Sequence, residues 1–183
     1  HIQGLNYSKI ELKAARVFIH NIDSSQWNEF QDRLKNIMGL QHATLMIKSK
    51  TDLEQIKNSA KVLIYNKNFD SFRITTKRND KNFSYDSNEV NKEIGAYVQK
   101  LSGAKVNLNF FSVNIIIELL KDNTYIGFER IKGFSGLPAR CQEKALSLIS
   151  SGIDSPVASF EIINRGVKLD FIHFHSYPAI NKQ

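Results

Sequence analysis

Apolar positions along the first 130 residues alternate between a two-residue and a 3.6-residue period, which predicts alternating strands and helices. Ala15 to His20 reads as a strand. Ser24 or Ser25 is placed to cap a helix carrying Trp27, Phe30, Leu34, Ile37 and Met38 at helical spacing, with Gly39 at its end. Ala43 to Lys48 is a second strand, and Thr51 with Glu54 forms the capping box of a helix that buries Leu53, Ile56, Ala60 and Leu63. Phe72 to Arg78 is again extended. Asp86 and Glu89 then open a helix with Val90, Ile94, Tyr97 or Val98, and Leu101 inward, and Gly103 beyond its end. Three strands follow, at Lys105–Asn109, Val113–Leu120 and Tyr125–Arg130, with Asp122-Asn123 turning the last pair.

The pattern changes after residues 133–138, whose glycines and Pro138 read as a linker. Ala145 to Ile149 is an apolar strand expected to be buried. Ser155 is expected to cap a helix with Pro156 as its first residue, and Leu169 to Phe174 forms the next strand. Two parallel strands with one crossover helix cannot cover both faces of a sheet. This last segment is therefore expected to open a larger doubly wound domain, making the chain part of something longer.

Composition narrows the partners. Lys and Arg total 25 against 18 acids among 183 residues, for a formal charge of +7. Residues 1–70 and 71–136 each carry three excess positive charges and residues 137–183 only one, so polyanion binding is expected before Leu137. One cysteine, Cys141, excludes a disulfide scaffold. No apolar run approaches the ~20 residues that span a bilayer, and no cleavable leader pattern opens the chain, so the expectation is a cytoplasmic protein without a membrane partner.

The candidate chemistry lies between the strand ending at Leu148 and the helix beyond Ser155. Ser150-Ser151-Gly152-Ile153-Asp154-Ser155 gathers hydroxyls and a glycine at a helix start, where free amides and the dipole favour a phosphate. A simple turn needs one capping side chain. His173 and His175 share a strand face but lack further ligands at zinc spacing, so no metal site is read there. Arg73, Lys77, Arg78 and Lys81, offset only by Asp80, form a basic stretch suited to an RNA backbone.

These motifs carry a family resemblance. Residues 149–158 resemble the PP-loop of ATP pyrophosphatases, and within that class the tRNA 4-thiouridine synthetase family. Lys77-Arg78-Asn79-Asp80-Lys81 and Glu93-Ile94-Gly95 look like its THUMP domain. Ile131-Lys132-Gly133 with Gly136-Leu137-Pro138 looks like its domain junction, and His173-Phe174-His175-Ser176 like its second PP-loop strand. The resemblance implies an α/β chain with an α+β front: an incomplete ferredoxin-like segment (1–50), a THUMP domain (51–132), a linker (133–138) and the first βαβ of a PP-loop domain (139–183). Nothing before Lys9 matches the family's first strand and helix. It further implies ATP bound by residues 148–155 (Leu148, Ile149, Ser150, Ser151, Gly152, Ile153, Asp154, Ser155) and by main chain near His173 and Phe174. Asp154 would be the catalytic carboxylate orienting ATP or Mg²⁺. RNA would meet Arg73, Lys77, Arg78, Lys81 and Lys132. The implied partners are tRNA, a cysteine desulfurase and a thiamine-pathway sulfur carrier protein, with a homodimer as a candidate assembly.

The family has glycine where this chain has Ser151. A left-handed backbone there would cost a serine about 1–2 kcal/mol and weaken ATP binding. Cys141 does not fall at the family's sulfur-transfer position and reads as structural or incidental. Two alternatives stay open at this point: a non-catalytic THUMP RNA-binding module with a degenerate loop, and an ATP pyrophosphatase acting on a small amide-forming substrate. The basic front argues against the second.

Overall fold

The computed structural model describes residues 2–13, 16–79, 83–128, 130–138 and 140–174. The fold is α/β, and the chain divides into two units, residues 44–130 and residues 1–43 with 131–183.

The middle unit is built on a five-stranded sheet. Its elements are β4 (Met46–Ser49), α2 (Leu53–Ile64), β5 (Ser71–Arg78), α3 (Ser87–Ser102), β6 (Lys105–Val106), β7 (Val113–Leu119) and β8 (Thr124–Gly127). The strand order is β4-β8-β7-β5-β6, with β5 parallel to β7 and β6, and β8 antiparallel to β7 and β4. The α-β-α-β-β-β order expected from Thr51 onward is present. Both helices cover one face. Phe72, Ile74, Ile115, Ile117, Leu119 and Ile126 from the strands meet Ile56, Ala60, Val90, Ile94 and Val98 from the helices in one core.

Several local expectations change. Asp52, not Thr51, caps α2, its carboxylate accepting from the Gln55 amide at 3.1 Å. The Thr51 hydroxyl instead donates to the Leu120 carbonyl, 69 residues away, so a tertiary partner displaces the local box. Asp86 and Glu89 open α3 as expected, and do so as a capping box, while Gly103 ends it in the left-handed region. Leu101 is 46% exposed, because the α3 core face ends at Val98. β6 stops at Val106, since the Asn107 side chain accepts from the Asn109 and Phe110 amides and starts a turn. β8 stops at Gly127, which lies hard against the Leu45 carbonyl.

The second unit contains β1 (Lys9–Lys13) and β2 (Arg16–His20), an antiparallel hairpin whose first strand alternates polar and apolar residues but was not singled out from sequence. A 3₁₀ turn (Ser24–Gln26) capped by Asp23, rather than by either serine, leads into α1 (Trp27–Lys35). Phe30 and Leu34 are buried against Leu5, Ile19 and Ile131. The helix ends four residues before Gly39. That glycine has φ +85° and brings the chain against Pro138, where a Cβ would lie 2.7 Å from the proline nitrogen. β3 (His42–Ala43) pairs with β9 (Ile131–Lys132). The expected linker is stitched down by backbone bonds from Gly39 to Ser135, Ser135 to Leu40 and Leu137 to Asn164.

β10 (Lys144–Leu148), α4 (Asp154–Asn164) and β11 (Lys168–Ile172) form the expected βαβ, with the strands parallel. β10, expected to be buried, is open: Leu146 and Leu148 are more than half exposed, as are Val157 and Phe171, because one helix cannot cover both faces of a two-stranded sheet. Within this unit α4 is held by Phe160 against Phe134, edge to face at 5.4 Å.

Candidate functional site

Residues 149–153 form the turn from the end of β10 to the start of α4. The parallel ladder pairs Leu148 with Ile172 and adds one bond, Ile149 N–H to the Ile172 carbonyl at 2.9 Å. The turn then closes on the helix through hydroxyls. The Ser150 amide donates to Ser155 Oγ at 3.0 Å, the two hydroxyls lie 3.0 Å apart, and the Gly152 amide donates to Ser150 Oγ at 3.3 Å. Ser155 is therefore not the helix cap. The helix begins at Asp154, which makes Pro156 its third residue, and Ile153 at the cap position offers no side-chain acceptor. The first-turn amides of α4 are thus left without a side-chain cap at the positive end of the helix dipole, which is where an anion is favoured.

Space permits a ligand to come close. A Cβ on Gly152 would meet only the Ser150 hydroxyl, at 3.6 Å. Neither Ser151 nor Gly152 is among the residues with positive φ, so the strain expected of Ser151 is absent. Asp154 is exposed in the first turn of α4. Beneath the turn, the Ser159 hydroxyl donates to the Ser155 carbonyl at 2.7 Å and lies 2.7 Å from Ser147 Oγ. Ser159 is 4% exposed, so this hydroxyl chain clasps α4 to β10 from the inside. Ser147 and Ser159 were not singled out from sequence, although Ser159 stands one helical turn after Ser155. His173 follows β11 with Nδ1 2.7 Å from the Ile149 carbonyl, and Phe174 is exposed beside it. The structure therefore brings residues 148–155 and His173 together. His175 and Ser176 lie outside the described residues.

The basic stretch resolves differently. Strand alternation along β5 sends Phe72 and Ile74 to the helices and Arg73, Thr75 and Lys77 to the open face. There they line a concavity of about 340 Å³ with Asn114 and Ile116 of β7. Phe111 and Arg130 complete it, with the Arg73 guanidinium 4.1 Å from the centre of the Phe111 ring. Asn114, Phe111 and Arg130 were not anticipated. Asn114 is brought there as the register partner of Arg73, a placement that only the assembled sheet shows. Arg78 is not in this group. It donates to the Tyr85 carbonyl at 3.0 Å, next to the α3 cap. Lys132 is exposed on β9 in the other unit, and Lys81 lies outside the described residues. Cys141 is exposed, with its sulfur packed against Gly166.

Residues 50–129 match the family model of the THUMP domain, and residues 140–183 match that of the "Thiamine biosynthesis protein (ThiI)" family. A Bacillus licheniformis protein named "Probable tRNA sulfurtransferase" is 39% identical over 154 residues, covering 82% of this chain and 38% of that protein. One of the same name from Clostridium acetobutylicum is 32% identical across the whole chain, covering 52% of its own length. The crystal structure of a 4-thiouridine synthetase–RNA complex with bound ATP superposes with a TM-score of 0.78 at 26% identity, over 97% of this chain and 46% of that one. A Pyrococcus horikoshii structure superposes with a TM-score of 0.80 at 24% identity over 92% of the chain and supports the fold. The chain spans about two-fifths to half the length of the relatives it matches. Two segments of the chain thus match, in order, the THUMP domain and the ThiI family, and most of its length is similar to proteins named tRNA sulfurtransferase.

Proposed function

We propose that this chain is the RNA-binding and nucleotide-binding front of an enzyme that converts uridine 8 of tRNA to 4-thiouridine. The observation that carries the reading is the turn at residues 150–155: hydroxyls, an open glycine and uncapped helix amides directly follow a basic THUMP domain. ATP supplies the adenylyl group that turns the uridine O4, a poor leaving group, into one a persulfide sulfur can displace. In this reading the turn's amides and the Ser150 and Ser155 hydroxyls hold the phosphates, and main chain at Leu148, Ile149, Ile153, His173 and Phe174 borders the nucleotide. Asp154 is the carboxylate nearest those phosphates. It would share a Mg²⁺ with them, as that ion commonly takes one protein carboxylate plus substrate oxygens. Arg73 and Lys77 on the open sheet face, together with Lys81 and Lys132, contact RNA phosphates and position the RNA by shape. Arg78 belongs to the same stretch and braces it through Tyr85.

Residues 51–132 serve as the THUMP domain behind a ferredoxin-like segment (1–50), and residues 139–183 open the PP-loop domain after the 133–138 linker. A cysteine desulfurase supplies the sulfur, and a thiamine-pathway carrier protein is a second acceptor. The enzyme acts in the cytoplasm and pairs as a homodimer. The alternative of a binding module with a degenerate loop rested in part on Ser151, which takes no left-handed backbone. In the full-length protein, Asp154→Ala is expected to abolish 4-thiouridine formation while leaving tRNA affinity within twofold. Retained thiolation in that variant rejects the assignment.

A further inference from the structure

Ile149 follows the last residue of β10 and precedes the hydroxyl-rich stretch at 150–155. Two consecutive residues at the end of β11 hold its two backbone groups. The Ile172 carbonyl accepts the Ile149 N–H at 2.9 Å, and His173 Nδ1 lies 2.7 Å from the Ile149 carbonyl. A carbonyl can only accept, so Nδ1 must carry the proton in the neutral ring. One peptide further on, the Ser150 amide and hydroxyl engage Ser155. The orientation of the Ile149–Ser150 peptide thus decides where the turn's donors point, and its carbonyl end is held by a side chain. His173 is exposed, so it does not fill a core space that any bulky residue would fill. Its contribution at this point is a directed hydrogen bond.

We propose that His173 is a positioning residue for the turn at 150–155: its Nδ1–H holds the Ile149 carbonyl so that the turn presents its amides and hydroxyls to an anionic ligand in one arrangement. This rests on the nucleotide reading of the turn. It assigns the imidazole a task distinct from contact with the adenine, which the family resemblance gives to the main chain here. Nδ1 stands two bonds from Cβ, a reach that the asparagine amide nitrogen reproduces and the glutamine nitrogen overshoots. Losing one net hydrogen bond changes a local equilibrium roughly fivefold.

The test uses the full-length protein and ATP as probe. ¹⁵N NMR of ligand-free protein at pH 8 is expected to show the Nδ1–H tautomer. His173→Leu and His173→Gln are expected to weaken ATP binding about fivefold and to speed hydrogen exchange at the Ser150 amide. His173→Asn is expected to stay within twofold of wild type in both. The Nε2–H tautomer, a wild-type affinity in His173→Leu, or a His173→Asn as weak as His173→Leu overturns the proposal. If wild type binds no ATP, the nucleotide reading falls, and the tautomer and the Ser150 exchange rates alone decide whether the clasp exists.

Discussion

Gly136 and Gly4 have nearly the same backbone and very different surroundings, which makes them a controlled pair. Both lie in the unit formed by residues 1–43 and 131–183, with φ of +76° and +83°. A Cβ on Gly4 meets nothing within 4 Å, whereas one on Gly136 collides with the side-chain and backbone oxygens of Asn164. Alanine at either position incurs about 1–2 kcal/mol for the left-handed backbone. It recovers roughly 0.4–1 kcal/mol by restricting the unfolded chain. Gly4→Ala should therefore cost no more than about 1.6 kcal/mol. Gly136→Ala must also push Asn164 away, and the Asn164 carbonyl accepts the Leu137 amide at 2.9 Å. Losing that bond adds about 1 kcal/mol, and displacing the end of α4 adds further strain, so roughly 2–4 kcal/mol in all is expected. Trp27 is the only tryptophan and is packed in the core of this unit, so its fluorescence in a urea titration reports both variants. Hydrogen exchange at the Leu137 amide reads the local break directly. A Gly136→Ala no less stable than Gly4→Ala, with Leu137 protection intact, would refute the claim that the 133–138 segment is held by close backbone packing.

Two further outcomes are expected. Lys77→Ala in the full-length protein should weaken tRNA binding and reduce the slope of log affinity against log salt by about one. Arg78→Ala should change the slope less and disturb the start of α3 instead, and equal slopes for the two variants would contradict their placement on opposite faces. The Glu89 amide foremost, with the Asn88 amide and Arg78 adding, holds the Asp86 carboxyl below its ordinary value. A depressed folded pKa means that the stabilisation is complete above the ordinary aspartate value of ~3.9 and is lost as pH falls through the lower folded one. The stability gap between wild type and Asp86→Ala should therefore narrow as the pH is taken down below that ordinary value. A gap that stays constant over that range would show that the charge plays no part in the cap.

Sequence alone determined the features that depend on neighbours along the chain. Apolar spacing marked α2 and α3 and their core residues Ile56, Ala60, Val90 and Ile94, because one face of a helix is set by its own period. Asp86 with Glu89, and Gly103, marked both ends of α3 for the same local reason. The turn at 150–155 was visible because serines and a glycine crowd six positions between two apolar segments. Tertiary structure decided whatever depends on a distant partner. Thr51 lost its capping role to Asp52 because Leu120 offers its hydroxyl a carbonyl. Arg73 and Lys77 parted from Arg78 because pleating sends alternate side chains to opposite faces, and only the assembled sheet shows which face is open. Ser155 turned from helix cap to latch for the turn, and His173 reached Ile149 across 24 positions, because parallel pairing sets the ends of β10 and β11 side by side.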